Sequence, residues 1–366
     1  MTTQGRKATI FDIAKLADSS PSTVSAALSG AWKKRRISQS KVDLIRRIAE
    51  EQGYSTNMQA RGLRQARSGL VGMIIPVHDN RYFSSMSQSF EAFARDRGLV
   101  PVIASSMRDG EEERRIVQTL ISYAVDYIFI AGATDPVAIS ELCRAANLRH
   151  VFVDLPGPGA PSVISDNYHG AAMLTRTLLS RVRPDPEASA RDRIYFIGGV
   201  ATDYATARRI EGFRHVLTEV GCPPLPEQII ACGYPPRRAM KEIAALCDRL
   251  GGLPAGLFVN SLTSFEGVLG HFVHLPLGSF DDTVLGCYDY DPFAAYLHFP
   301  VHMVRQDSHR LIEEAYRLID APPAGALIKE VAPRPDPAPY DLCRSLRRTW
   351  LRGRSQPAPR GLSGRP

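Results

Sequence analysis

Between residues 70 and 319, short apolar runs alternate with amphipathic segments, and this alternation constrains the chain more than any other feature. Runs at 70–76, 99–104, 126–131, 150–154, 193–198, 228–231, 256–260, 283–288 and 301–305 read as strands. Helical apolar spacing at 83–97, 111–124, 168–181, 206–220, 237–250 and 307–319 separates most of them. Such alternation implies parallel, doubly wound sheets, because a parallel crossover is long enough for a helix and that helix must bury its apolar face. The stretch is longer than the ~100–200 residues of an ordinary domain. The polar, proline-containing run VRPDPEASARDR at 182–193 breaks it near the middle. The expectation is an α/β body of two lobes with a cleft between them, ligands binding beyond the carboxyl ends of the strands.

Residues 9–54 follow another rhythm. Ile10, Ile13, Ala14, Leu16 and Ala17 have helical spacing, the turn from Asp18 to Ser20 breaks it, and Val24, Ala27 and Leu28 resume it. Pro21 suits a first helical turn capped by Ser19 or Ser20, since its missing N–H would have no partner there. Ser38 caps a third helix with Val42, Leu44, Ile45, Ile48 and Ala49 as its stripe, and Gly53 stops it. The chain therefore divides into an all-α head (1–54), a linker (55–68), the two-lobed body (69–333) and a Pro/Arg-rich tail (334–366) too poor in apolar residues to fold alone.

Charge follows the same division. The net charge of +7 comprises +8 over residues 1–68, −7 over 69–333 and +6 over 334–366. A basic head on an acidic body points to a polyanion, DNA or RNA, as the head's partner. No apolar run approaches the ~20 residues that cross a bilayer, and the N-terminus has no apolar signal region, so no membrane partner and a cytoplasmic location are expected. The six cysteines show no CxxC and no zinc spacing, so no metal site and no cofactor are expected. No GxSxG or GxxxxGK[ST] occurs, and Gly198-Gly199 lacks a dinucleotide-binding context, which counts against an enzyme.

The string from Ala8 through Asp12-Ile13-Ala14, Ser22-Thr23-Val24-Ser25 and Leu28-Ser29-Gly30, followed by Gly53-Tyr54 and Asn57-x-x-Ala60-Arg61-x-Leu63, resembles the head of the lactose/galactose repressor family. The resemblance covers roughly 8–333 and implies a helix-turn-helix head, a hinge and a body like the periplasmic sugar-binding proteins. A helix-turn-helix lays its second helix in the major groove, N-terminal residues first. Pro21, Ser22, Ser25 and Ala26 then face the groove, and the hydroxyls of Thr9 and Thr23 are available to phosphates. This helix carries no Arg, Asn or Gln to read base edges bidentately. Lys33, Lys34, Arg35 and Arg36 are the compensation, the plain alternative being a solvated charge run. By resemblance, 57–67 forms a hinge helix on the operator, with Asn57, Ala60 and Arg61 along it and Leu63 as a minor-groove wedge. Thr56 stands where the family usually has proline. Gly30-x-x-Lys33-x-x-Arg36-Ile37-Ser38, Ala60-x-Gly62-Leu63-Arg64 and the 257–268 segment are most similar to the fructose-type catabolite repressor/activator branch.

The resemblance further implies a small-molecule effector, a sugar or phosphosugar, between the lobes. Its candidate contacts are Asp79, Asn80, Tyr82 and Phe83 after the first strand, Asp154 after the fourth, Asp166 and Asn167 where the second lobe begins, Arg209 or its neighbour Arg208, and Asn260 and Asp289 at later strand ends. Position 155 is Leu where the fructose branch carries Arg, and a phosphosugar needs a guanidinium or ammonium; Arg81, Arg208, Arg209 and Arg305 remain available. The expected function is an effector-controlled, sequence-specific transcriptional regulator, a repressor, acting as a homodimer on palindromic operator DNA, with a tetramer the alternative assembly. The competing readings are a solute-binding receptor and an α/β enzyme.

Overall fold

The computed structural model describes residues 8–54, 67–276, 278–323, 325 and 327–335. Two compact units divide at Gly69 and Leu70. The hinge candidates Asn57, Ala60, Arg61 and Leu63, and the tail beyond Pro335, lie outside the described residues.

The first unit contains α1 (Ile10–Leu16), α2 (Pro21–Leu28) and α3 (Gln39–Glu51). Hydroxyls start all three. Thr9 and Asp12 form a reciprocal capping box on α1, Ser20 caps α2 ahead of Pro21, and Ser38 caps α3, so orphan N–H groups find acceptors without water. Ile13, Ala14 and Ala17 meet Val24 and Ala27 from α2 and Val42, Ile45 and Ala49 from α3. Small alanines let three short helices approach closely around few large side chains.

The body holds two six-stranded sheets. In the first, β1 (Leu70–Ile75), β2 (Val100–Ser105), β3 (Tyr127–Ala131), β4 (Arg149–Val153), β5 (Ser162–Ser165) and β11 (Ile328–Val331) lie in the order β11-β5-β4-β3-β1-β2, all parallel. In the second, β6 (Ile194–Ile197), β7 (Ile229–Ile230), β8 (Gly256–Val259), β9 (Val284–Tyr288), β10 (Val301–Arg305) and β12 (Arg334–Pro335) run β12-β10-β9-β8-β6-β7, parallel except for β12. Central strands such as β3 and β8 are buried throughout, as strands covered on both faces by helices must be.

The helices of the body are α4 (Arg81–Asp96), α5 (Gly110–Ser122), α6 (Pro136–Ala145), α7 (Asn167–Leu179), α8 (Tyr204–Glu219), α9 (Pro236–Leu250), α10 (Leu262–Phe272) and α11 (Ser308–Asp320). Phe90 of α4 packs with Phe129 and with Tyr316 of α11, so the first lobe's core is completed by a helix from the far end of the chain. Gly212 lets α8 lie against α7: a Cβ there would stand 2.3 Å from the carbonyl oxygen of Tyr168.

The reading of the 182–193 run as the break in the body is corrected by the structure. The polar run 182–193 does not divide the lobes; it is a connection inside the second, between α7 and β6. The chain passes to the second lobe at Asp166, returns before α11, and passes again after β11. Two strands were not legible in the sequence: β5, with serine at both ends, and β11, whose Lys329 and Glu330 break any apolar run. The body also extends past 333, because β12 pairs with β10 and Arg334 forms an ion pair with Asp307 at 2.9 Å.

Candidate functional sites: the interlobe cleft and the head

The carboxyl ends of both sheets supply the cleft. Asp154 follows β4, Asn260 follows β8, Asp289 follows β9 and Gln306 follows β10, and all four are buried. Asp154 and Asp289 adopt left-handed backbone, at φ of 73° and 108°, which swings each carboxylate off its strand's line. Tyr82, in the first turn of α4, donates its hydroxyl to Asp154 Oδ1 at 3.0 Å. Gln306 Nε2 donates to Asp289 Oδ1.

Arg209 links this set. Its Nε donates to Asn167 Oδ1 at 2.8 Å, one terminal nitrogen donates to the Asn260 carbonyl at 2.6 Å, and the guanidinium carbon lies 3.8 Å from the centre of the Tyr288 ring. Burial disfavours its charge, but Tyr288, Asp289, Tyr234 and Asp154 more than offset this. Burial likewise raises the carboxyls of Asp154 and Asp289 against the pull of Arg209, that of Asp289 to about 6. Burial, then both carboxylates, push the Tyr82 phenol well up.

The choice between adjacent arginines falls to Arg209. Arg208 pairs with Glu211 and lies over Tyr168. Arg81 reaches across the lobes to Asp291 at 3.0 Å, and Arg305 lies over Tyr290. Two loop candidates are placed differently from the sequence expectation. Asn80 spends its oxygen capping α4, accepting from the Tyr82 N–H at 2.9 Å, and Phe83 is packed in the first lobe's core instead of offering a face for stacking. Asp79 is exposed and joins none of these bonds. Sequence reasoning passed over Thr206, Tyr234 and Arg108. Asn260 Nδ2 donates to Thr206 Oγ1, which meets the Tyr234 hydroxyl at 3.3 Å, and Arg108 stands over the Tyr234 ring at 4.7 Å. Tyr234 follows a strand of only two residues, which leaves no apolar run to mark its place.

In the head, Ser22 is exposed and Ser25 half-buried near the start of α2, while Ala26 is buried at 3% exposure and withdrawn from any groove. The hydroxyl of Ser20 lies 2.8 Å from those of both Ser22 and Thr23. The Thr9 hydroxyl donates to Asp12 Oδ2 at 2.7 Å, so its proton is committed to the cap and not free for a phosphate. Lys33, Lys34, Arg35 and Arg36 occupy an ordered turn: the N–H groups of Arg35 and Ile37 both donate to the Trp32 carbonyl, and Trp32 packs on the head's core. The Lys33 ammonium lies 5.4 Å from the Trp32 ring centre. All four cations are exposed, and none forms an ion pair among the described residues.

Comparison with known proteins settles the family. Residues 9–57 match the bacterial regulatory proteins of the lacI family, and residues 71–257 match a periplasmic binding protein domain. The sucrose operon repressor of Klebsiella pneumoniae is 30% identical over 338 residues, 90% of this chain and 95% of that protein. The chain belongs to the lacI family. This lacI-family regulator is 48% identical over 199 residues to the ribitol operon repressor of Klebsiella aerogenes, spanning 53% of this chain and 71% of that protein. Its likeness to the catabolite repressor/activator branch extends to the fold. The Cra transcriptional dual regulator from Pseudomonas putida, solved with fructose 1-phosphate, superposes with a TM-score of 0.63 at 23% identity, covering 73% of this chain and 98% of that one. The ribitol and sucrose relatives are named operon repressors, and the chain is a DNA-binding regulator instead of an enzyme or a free receptor. No helix among the described residues is long and apolar enough to cross a membrane.

Proposed function

We propose that this lacI-family protein is a cytoplasmic repressor, a homodimer on a palindromic operator, whose grip is set by an uncharged polyol or sugar held between the lobes. The observation that carries the effector class is a surplus of buried acceptors. Asn260 Oδ1 and Gln306 Oε1 have no hydrogen-bond partner, and the carboxylates of Asp154 and Asp289 can each accept further donors. A ligand with many hydroxyl donors satisfies such a set. A phosphate fits it less well, because Arg81 and Arg208 are paired with carboxylates and Arg209 with Asn167, leaving Arg305 and Arg108 exposed over the rings of Tyr290 and Tyr234. The ribitol-named relative fits the same class.

Thermal shift and operator titration with ribitol, sucrose and fructose 1-phosphate test this. A neutral polyol or sugar should stabilise the body and change operator affinity by about 5–150-fold, a coupling of ordinary size. Binding of fructose 1-phosphate alone would overturn the effector class.

The effector's affinity should also depend on pH. Burial raises the Asp289 carboxyl from the usual 3.8 to about 6 in the folded body, so the stability gained by keeping it protonated is fully present below about 3.8 and is lost as pH rises through about 6. Hydroxyl donors reward the ionised form, so effector affinity should rise with pH across that window, with protons released on binding near pH 6. Calorimetry in two buffers of different ionisation enthalpy checks this; Asp289→Asn should abolish the proton release.

A further inference from the structure

The turn between α1 and α2 is closed by an unusual pair. The Ser19 N–H donates to the Ala14 carbonyl and the Asp18 N–H to that of Lys15, which is the helix-ending arrangement that normally places glycine in left-handed backbone. Here Asp18 occupies that position, at φ of 45°. Beyond it, Lys41 reaches back from the first turn of α3 and donates its ammonium to two successive carbonyls, Ala17 at 2.7 Å and Asp18 at 3.0 Å.

A cation in the first turn of α3 opposes that helix's own dipole. Its long stem carries the charge to the C-terminal end of α1, where orphan carbonyls concentrate negative potential. Two hydrogen bonds from one ammonium fix the direction in which the chain leaves α1. Pro21, the first residue of α2, lies three positions after Asp18. Lys41 is one of the cations in the head's net charge of +8, but its ammonium is turned onto the head's own backbone. We propose that Lys41 is a positioning residue for DNA reading, setting the angle of α2 against α3 by gripping the α1–α2 turn.

The inference rests on the head's role in DNA binding. The test uses the full-length protein, an operator duplex selected by the wild type from a random-sequence pool, and a scrambled duplex of equal composition. Lys41→Met should weaken operator binding about 10-fold or more, leave scrambled-duplex binding within about 2-fold, and keep the salt slope unchanged. Lys41→Arg, which retains a donor of similar reach, should recover most of the loss. A slope shallower by about one with equal losses on both duplexes would instead make Lys41 a phosphate contact. Loss on both duplexes with reduced helical circular dichroism would make it a general support of the head; no change would remove it from DNA reading. Each of these overturns the proposal. Failure of the wild type to discriminate the two duplexes would refute operator reading itself and is a separate result.

Discussion

Replacing Arg209 by Met should lower the body's stability by about 3–5 kcal/mol, the usual consequence of stripping one partner from a buried charge network. The reason is local. Arg209 is 5% exposed, and its charge is what holds down the carboxyls of Asp154 and Asp289 against burial. Methionine fills similar volume, so the loss is electrostatic before it is steric. Two carboxylates would then face each other without compensation, and Asn167 Oδ1 and the Asn260 carbonyl would each lose a donor. Differential scanning calorimetry should show a melting temperature lower by roughly 6–20 °C, at ~2–4 °C per kcal/mol for a unit of this size. Adding Asp289→Asn to Arg209→Met should recover part of the stability while leaving effector response absent, because one charge is removed but the acceptor set is not rebuilt. A drop of less than about 1 kcal/mol in the single variant would mean that the carboxylates are already neutral or hydrated.

Legibility in the sequence tracked how far a residue's role is local. Central strands such as β3 and β8 are unbroken apolar runs and could be placed directly; β5, β11 and β12 are short or polar, and only pairing with distant partners makes them strands. The lobe crossing at Asp166 was legible, whereas the conspicuous 182–193 run is only a connection within the second lobe. The positions of Asp154, Asn260 and Asp289 were legible because each is a polar residue directly after an apolar strand, where open α/β sheets gather ligands. Asn80 and Phe83 stand in the right loop, yet a cap and a core contact absorb them, which depends on side-chain direction. The head shows the same limit. Thr9 and Ser20 were recognisable as polar residues beside helices, whereas the partner that each hydroxyl takes is a matter of geometry.

Changing Lys33, Lys34, Arg35 and Arg36 together to Gln should flatten the salt dependence of operator binding by up to ~3.6 in log–log slope, at ~0.9 per phosphate neutralised. Loss of affinity at physiological salt should reach about 100-fold or more. Such a run on a mobile loop would deliver less, since ordering four long side chains costs entropy at binding. Here the turn is held in place by the head itself: Trp32 and Ile37 both pack against its core, and the Trp32 carbonyl accepts two backbone N–H groups from the turn. Four like charges held close without a carboxylate repel one another, and a polyanion relieves that repulsion. The serines of α2 offer no bidentate donor, so these cations should carry specificity as well as strength. Titrating the wild type and the quadruple Gln variant against operator and scrambled duplexes at several salt concentrations separates the two contributions. A shallower slope with an unchanged ratio between duplexes confines the turn to phosphates, a fall in the ratio adds base reading, and an unchanged slope would place the cations in solvent and return the head's affinity to α2 alone.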